Sequence, residues 1–261
     1  MNGLDSGTRV VVAIDHGMAW GVLERFENPR ETLANVLAAG PDGILAGYPF
    51  VRRFEGMLDD YPDVDRVVTL DMFHESTMPG RTEDAEIQTQ VFDASEAASV
   101  GDAAKIALVY GREQEAVLQD NLEYTAAAGR QCREAGIPLV VEPTLWGQRA
   151  EDELDAGLLA DATRVAFELG ADILKSPYPG STEEFAPIVE NAPVPVYIAG
   201  GPATETDREV LEMVGGAVEA GARGVMFGRN VWQRDDPAAI VDAIGAITHD
   251  GATVDEAADL L

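Results

Sequence analysis

Short apolar runs and amphipathic stretches alternate along the whole chain. The runs are Val10–Asp15, Gly43–Ala46, Val67–Asp71, Lys105–Tyr110, Pro138–Glu142, Asp172–Lys175, Val194–Ala199 and Gly224–Phe227. Each is too short for a helix and apolar on both faces, as a strand buried beneath helices must be. Helical spacing follows each run, over Arg30–Ala39, Phe50–Leu58, Asp93–Ser99, Glu113–Ala135, Glu153–Leu169, Glu183–Glu190, Asp207–Ala220 and Pro237–Thr248. Such alternation predicts parallel strands covered by helices. Eight repeats in 261 residues predict closure into a single α/β domain, a (β/α)8 barrel spanning residues 1–261. The competing fold, a doubly wound sheet, usually carries a glycine-rich turn after its first strand, where this chain has Asp15-His16-Gly17.

Punctuation agrees with this reading. Gly40, Gly136, Gly170 and Gly221 each close a helical run before a strand. Thr182 and Thr206 read as helix starts, the second with Glu209 three residues on as a capping box. The longest irregular stretch, Met72–Phe92, is a plausible active-site loop.

In a closed barrel the chemistry sits at the C-terminal strand ends. Those ends carry Asp15 and His16, Tyr48, Asp71, Tyr110 and Arg112, Glu142, Lys175, Gly200 and Gly201, and Gly228 and Arg229. Lys175 draws the eye first, because only two of the 18 basic residues are lysines, Lys105 and Lys175. A lysine at the end of the apolar run Ala171-Asp-Ile-Leu-Lys-Ser176 suits an amine held in low dielectric. Desolvation disfavours the ammonium form, and only the neutral amine attacks a carbonyl to form a Schiff base. Val11, Ala13 and Asp15 share a face by alternation, so Asp15 either faces that amine as a proton shuttle or caps the loop at Gly17. His16 either hydrogen-bonds the loop or touches substrate.

The runs Ile198-Ala-Gly-Gly-Pro202 and Val225-Met-Phe-Gly-Arg-Asn230 place glycines where backbone N–H groups can approach an anion closely. Arg229 adds a forked cation. Phosphate binding by Gly200, Gly201, Gly228 and Arg229 is the functional reading; tight turns with one structural ion pair are the alternative. Lys105 reads as part of a buried ion pair low in the barrel, or else as a second catalytic amine. Trp20, Trp146 and Trp232 fall on the loop side, as packing or as ligand contacts.

Charge and composition then narrow the partners. Acids number 47 against 18 bases, a net charge of −29 spread along the chain, and the apolar fraction is 46%. A phosphate backbone would be repelled, so nucleic acid is not an expected partner. An acid-rich, lysine-poor surface suits molar salt, where the Debye length is about 3 Å and self-repulsion is screened; an ordinary acidic protein is the plainer reading. Cys132 is the single cysteine, expected as a packing residue. His16, His74 and His249 lack ligand spacing, leaving His74 with Asp71 and Glu75 as a weak metal candidate. No metal and no other cofactor is expected. The N-terminus does not read as a signal peptide and no run reaches membrane-span length, so the expectation is a cytoplasmic protein, with no membrane partner, working as a homo-oligomer.

Taken together, Ile14-Asp-His-Gly17, Ala171-Asp-Ile-Leu-Lys-Ser176, Ile198-Ala-Gly-Gly-Pro202 and Gly228-Arg-Asn230 with Asp235-Asp-Pro237 resemble the archaeal-type class I fructose-bisphosphate aldolases. That family includes the 2-amino-3,7-dideoxy-D-threo-hept-6-ulosonate synthases and the thiolase of autoinducer-2 breakdown. The resemblance implies a TIM barrel, a Schiff base on Lys175, proton transfer by Asp15, substrate contacts from Asp15 through His16, Gly17, Met18 and Ala19, and phosphate on Gly200, Gly201, Gly228 and Arg229. It implies a phosphorylated sugar substrate, with fructose 1,6-bisphosphate leading, cleaved to glycerone phosphate and glyceraldehyde 3-phosphate. The synthase step, thiolase-like acyl transfer and a catalytically inactive barrel are the alternatives.

One motif departs from the family. Its aldolases carry a Tyr-Pro-Arg-Gly run after the fifth strand, whereas this chain has Val141-Glu-Pro-Thr-Leu-Trp-Gly147. Glu142-Pro143 and Val231-Trp232 are instead similar to the class I tagatose-bisphosphate and sulfofructose-phosphate aldolases. Glu142 is therefore expected to take over proton transfer, with Trp146 shaping the pocket. If Val140 points into the barrel, Glu142 does too. Apolar burial would raise its pKa and keep a proton available near neutrality; pairing with Arg112 or Arg149 at the rim is the other reading.

Overall fold

Eight parallel strands close into a barrel in this computed structural model, which describes Leu4, residues 7–74, Met78 and residues 86–261. Its strands are β1 (Arg9–Ala13), β2 (Gly43–Gly47), β3 (Asp65–Thr69), β6 (Ala103–Val109), β7 (Leu139–Thr144), β8 (Ile173–Pro177), β9 (Val196–Ala199) and β10 (Gly224–Phe227), with β1 pairing both β2 and β10. Two further strands, β4 (Asp71–His74) and β5 (Ile87–Gln90), form an antiparallel pair outside the barrel. The expected TIM barrel is the fold, and each of the eight apolar runs contributes its barrel strand.

The barrel lies between two apolar layers. Val12, Ile44, Val68, Ile106, Val141, Leu174, Ile198 and Val225 face outward and are buried under the helices. Val11, Ala13, Leu45, Val67, Ala103, Val140, Ile173, Tyr197 and Met226 point inward and fill the interior, as alternation along each strand requires. Tyr197 closes the lower end by donating its hydroxyl proton to the carbonyl of Leu4 at 2.8 Å. Because Val140 is interior, Glu142 two residues on is interior as well.

Two local expectations need correction. Phe50–Leu58 is two short helices, α3 (Tyr48–Arg53) and α4 (Glu55–Leu58), broken at Phe54, whose ψ of 15° leaves the helical range. Asp71 does not close the third barrel strand but opens β4, so the ladder of Met72–Phe92 is strand at both ends and not irregular throughout; residues 75–77 and 79–85 lie outside the described set. The helix expected from Thr182 does start there, over Thr182–Glu190, with Ser181 before it as the cap accepting the Glu184 N–H. The caps otherwise follow the sequence: Gly40, Gly136, Gly170 and Gly221 all have positive φ, and Thr206 with Glu209 forms the capping box. Cys132 is buried within α6 (Glu115–Ala135), where burial pushes its thiol up to about 12.

No helix among the described residues is long and apolar enough to cross a membrane. The net charge of −29 sets a testable condition on stability. Screening over about 3 Å at 1 M salt lengthens to about 30 Å at 0.01 M, so the melting temperature is expected to fall steadily across that range. A melting temperature that does not change with salt would contradict this.

Candidate active site

The upper barrel interior carries charge where the lower interior is apolar. Lys105 on β6, Glu142 on β7 and Lys175 on β8 stand on neighbouring strands with their side chains inward. Glu142 bridges the two lysines: Oε2 is 2.8 Å from Lys105 Nζ and Oε1 is 2.8 Å from Lys175 Nζ. Asp15 Oδ2 lies 3.8 Å from Lys105 Nζ and accepts the Thr69 hydroxyl at 2.8 Å. Charges buried this deeply persist only when paired, and here two ammonium groups share two carboxylates.

Pairing overturns two sequence-based expectations. Burial by itself would raise the Glu142 pKa, but the charges and hydrogen bonds of Lys105 and Lys175 outweigh it and bring it down to about 2. Glu142 is thus a carboxylate at neutrality, not a reservoir of a proton, and its partners are the two lysines instead of Arg112 or Arg149. Burial works equally against the Lys105 charge, yet Glu142, Asp15 and Asp71 hold its pKa above the usual lysine value. Lys105 forms the buried ion pair expected of it, with Glu142, and its long side chain climbs from low on β6 to the floor of the cavity.

A cavity of about 470 Å³ opens above this cluster at the C-terminal strand ends. Of the residues expected at the site, Asp15, His16, Met18, Ala19, Glu142, Trp146, Lys175, Gly200, Gly201, Gly228 and Arg229 line it. Gly17 does not. It sits on the outer side of α1 (His16–Trp20), where a Cβ would meet the ring of Phe26 at 3.8 Å. Tyr48, Tyr110 and Arg112 also stay outside the lining, because strand ends point outward as often as inward. Tyr48 stacks on Phe92 instead, and Arg112 donates to Gln88.

The chain turns sharply after β1, placing His16 against β10. A Cβ on Gly228 would lie 2.1 Å from His16 Cε1, so only glycine allows this approach. Burial drives the His16 pKa down to about 4 against the pull of Asp15, leaving a neutral ring with its Nδ1 3.7 Å from Asp15 Oδ1. Trp232 is structural: its indole N–H donates to the carbonyl of Ala13 at 3.0 Å. Trp20, Phe73 and Trp146 form an aromatic wall, with ring centroids 6.1 Å apart between the first two and 5.5 Å between the last two.

Beside Trp20 the loop after β9 approaches α10 (Arg229–Trp232). Gly201 has φ +61°, a conformation glycine adopts without strain. Arg229 donates to the Gly201 carbonyl at 3.0 Å and lies over the Trp20 ring, and its buried Nε has no hydrogen-bond partner. Asn230, fully buried, donates to the Gly200 and Pro202 carbonyls and accepts the Thr204 N–H, which sets the loop.

Sequence reasoning missed Thr69, Asn230 and Tyr178. The first two are neutral residues whose importance lies in contacts between distant strands. Tyr178, one residue beyond β8, lines the cavity in a position that strand-end counting passes over. Asp71 reaches the cavity from β4. It accepts the Ala107 N–H at 2.9 Å and the Tyr124 hydroxyl at 3.1 Å, while its Oδ1 is buried without a partner. Burial raises its pKa to about 6, with Lys105 opposing.

A raised carboxyl pKa favours the protonated native state. Stability from this group should therefore fall as pH rises from about 4 to about 6, by on the order of 2–3 kcal/mol. Asp71→Asn is expected to raise the melting temperature at pH 8 and to lose that advantage at pH 4.5. An equal effect at both pH values would show that Asp71 does not titrate in this range. The metal candidate of His74 with Asp71 and Glu75 involves Glu75, outside the described residues; among those described, no cluster of His, Cys, Asp or Glu could hold a metal ion.

A parallel barrel with an interior lysine–carboxylate–lysine array beneath a glycine-walled pocket is a scaffold for carbonyl chemistry, the class to which barrel aldolases belong. The chain belongs to the DeoC/LacD family of aldolases, whose pattern matches residues 9–234. It is a class I aldolase, a carbon–carbon lyase. It is 33% identical over 259 residues to an uncharacterized aldolase of Saccharolobus solfataricus, covering 98% of this chain and 95% of that one. It is 40% identical over 163 residues to a class 1 fructose-bisphosphate aldolase of Halobacterium salinarum, covering 62% and 60% of the two chains. Among solved structures it superposes with a TM-score of 0.77 at 28% identity on an archaeal fructose-1,6-bisphosphate aldolase with its catalytic lysine bound to the carbinolamine intermediate, covering 94% and 96%.

Proposed function

We propose that the enzyme cleaves or forms a C–C bond in a phosphorylated ketose through a Schiff base on Lys175. The carrying observation is the Lys175 amine 2.8 Å from the Glu142 carboxylate, at the mouth of a barrel whose neighbouring loops expose Gly200, Gly201, Gly228 and Arg229. The ketose phosphate docks there, which brings its carbonyl carbon to Lys175 Nζ. Glu142, ionised and hydrogen-bonded to that amine, accepts its proton as the C–N bond forms. Returning that proton to the former carbonyl oxygen gives the carbinolamine, and a second proton, the one Lys175 shed to become a neutral amine, follows through Glu142 to expel water and leave an iminium.

The iminium then draws electrons from the breaking C–C bond. A carboxylate takes the hydroxyl proton of the departing aldehyde half. Asp15 serves this step, held by Thr69 and 3.8 Å from Lys105. Protonation of the enamine and hydrolysis release the phosphorylated ketone. Lys105 positions Glu142 and keeps it charged. Fructose 1,6-bisphosphate is the reference substrate, because the halobacterial relative is named for it.

Borohydride reduction in the presence of glycerone phosphate tests this reading. Peptide mapping is expected to find the reduced adduct on Lys175 alone. An adduct on Lys105, or none, would overturn it.

A further inference from the structure

We infer that Asp71 selects the substrate: its Oδ1 accepts the hydroxyl on the carbon next to the aldehyde group, in the half of the ketose that departs. This rests on the Schiff-base reading of the site and extends it to the departing half. Two observations carry it, the order of strands around the barrel and the way the Asp71 carboxyl is held.

The barrel closes in the order β1, β10, β9, β8, β7, β6, β3, β2. The ends of β9 and β10, with Gly200, Gly201, Gly228 and Arg229, therefore stand four strands from those of β6 and β3, across the barrel. Lys175 on β8 lies between the two sides. A ketose with its phosphate at the β9–β10 loops and its carbonyl carbon at Lys175 Nζ extends its remaining carbons toward β6 and β3.

Asp71 stands on that side. Leu70 donates its N–H to the Lys105 carbonyl at 2.9 Å, and Ala107 donates its N–H to Asp71 Oδ2 at 2.9 Å, which fixes Asp71 against β6. Ala107 pairs with Glu142 in the parallel ladder, so the Asp71 carboxyl sits beside the rung that carries Glu142. With Glu142 and Asp15 it helps to hold the Lys105 charge.

The two carboxyl oxygens differ in what they meet. Oδ2 accepts from Ala107 and, at 3.1 Å, from the Tyr124 hydroxyl. Neither donor residue lines the cavity, whereas Asp71 does, so Oδ2 is directed away from it. Oδ1 is buried and accepts no hydrogen bond from the described residues. At 2% exposure Asp71 gains little from bulk water, and a buried acceptor without a donor is costly. A substrate hydroxyl supplies that donor. Burial raises the Asp71 pKa only to about 6, so at pH 8 the group is a carboxylate and the bond is charge-assisted. An aldehyde without this hydroxyl leaves Oδ1 unpaired beneath it, and a site built to bond a hydroxyl discriminates against the analogue that lacks it.

Aldol addition at pH 8 in molar KCl tests this, with glycerone phosphate as donor. The measurement is kcat/KM for glyceraldehyde 3-phosphate against 3-oxopropyl phosphate, which lacks only the hydroxyl beside the aldehyde. The parent enzyme is expected to prefer glyceraldehyde 3-phosphate by about 10- to 100-fold, the effect of one hydrogen bond to a charged group. Asp71→Asn, with its fold checked by the melting temperature, is expected to lower that ratio by about tenfold. A general loss of shape lowers both aldehydes alike, so the ratio separates contact from a structural role. Equal kcat/KM for the two aldehydes in the parent, or addition of neither, would overturn the inference without any substitution. So would an unchanged ratio in Asp71→Asn. Each of these leaves the Schiff base intact if borohydride still fixes glycerone phosphate on Lys175 of the parent. No such adduct would instead remove the Schiff-base reading, and the inference with it.

Discussion

Lys175→Arg is expected to abolish both turnover and borohydride labelling while leaving the protein folded. A guanidinium stays protonated and so cannot attack a carbonyl. It does keep a positive charge beside Glu142, so the carboxylate is not left unpaired in the barrel. The variant therefore separates chemistry from stability. Its melting temperature should stay near that of the parent while kcat falls to background. Turnover that survives this substitution would transfer the reaction to Lys105 or to chemistry without an imine.

Glu142→Gln is expected to lower kcat by about 100- to 10,000-fold, the usual cost of losing a proton-transfer group, and to slow borohydride trapping of substrate as well, because Glu142 relays the protons of imine formation. Its cause differs from a missing acid. Glu142 is held ionised with a pKa of about 2, so it acts as an acceptor and no acid limb from its titration should appear in the rate profile above pH 4. The same substitution leaves the Lys105 and Lys175 ammonium groups facing a neutral amide. Breaking one side of a buried ion pair typically costs about 3–5 kcal/mol, so the melting temperature should drop as well. Lys105→Met added to Glu142→Gln removes one of the uncompensated charges and is expected to recover stability without recovering rate. A Glu142→Gln enzyme with near-normal turnover would make Glu142 a structural bridge and leave the proton to Asp15 or water.

Much of the site was legible because barrel geometry ties position to sequence. Lys175, Asp15 and the glycine turns each lie at a strand end, and a strand end has one location in this fold. Side-chain direction was legible where alternation held, as from Val140 to Glu142. It was not legible for Tyr48, Tyr110 and Arg112, which stand at or just past strand ends but do not line the cavity. Asp71 was misplaced on the third barrel strand because the run Val67-Val-Thr-Leu-Asp71 holds no glycine or proline to mark where β3 stops and β4 begins.

The ionisation of Glu142 illustrates the boundary most clearly. From the local run Leu139-Val-Val-Glu142 the carboxyl is a buried acid among valines, and burial argues for a raised pKa. Two lysines, 37 residues before and 33 after in the chain numbering, reverse that sign by standing on the adjacent strands at 2.8 Å. Nothing within the local run encodes their distance.

Period, composition and punctuation by themselves determined the eight-stranded barrel, the end of it that carries the chemistry, and the residue types available there. They could do so because strand alternation, helix capping and charge are properties of neighbouring residues. Tertiary structure alone decided that Glu142 bridges Lys105 and Lys175, that His16 fits against Gly228, and that Arg229 lies over the Trp20 ring. Those outcomes depend on distances between separate strands and loops, and electrostatics and packing are set by distance in space.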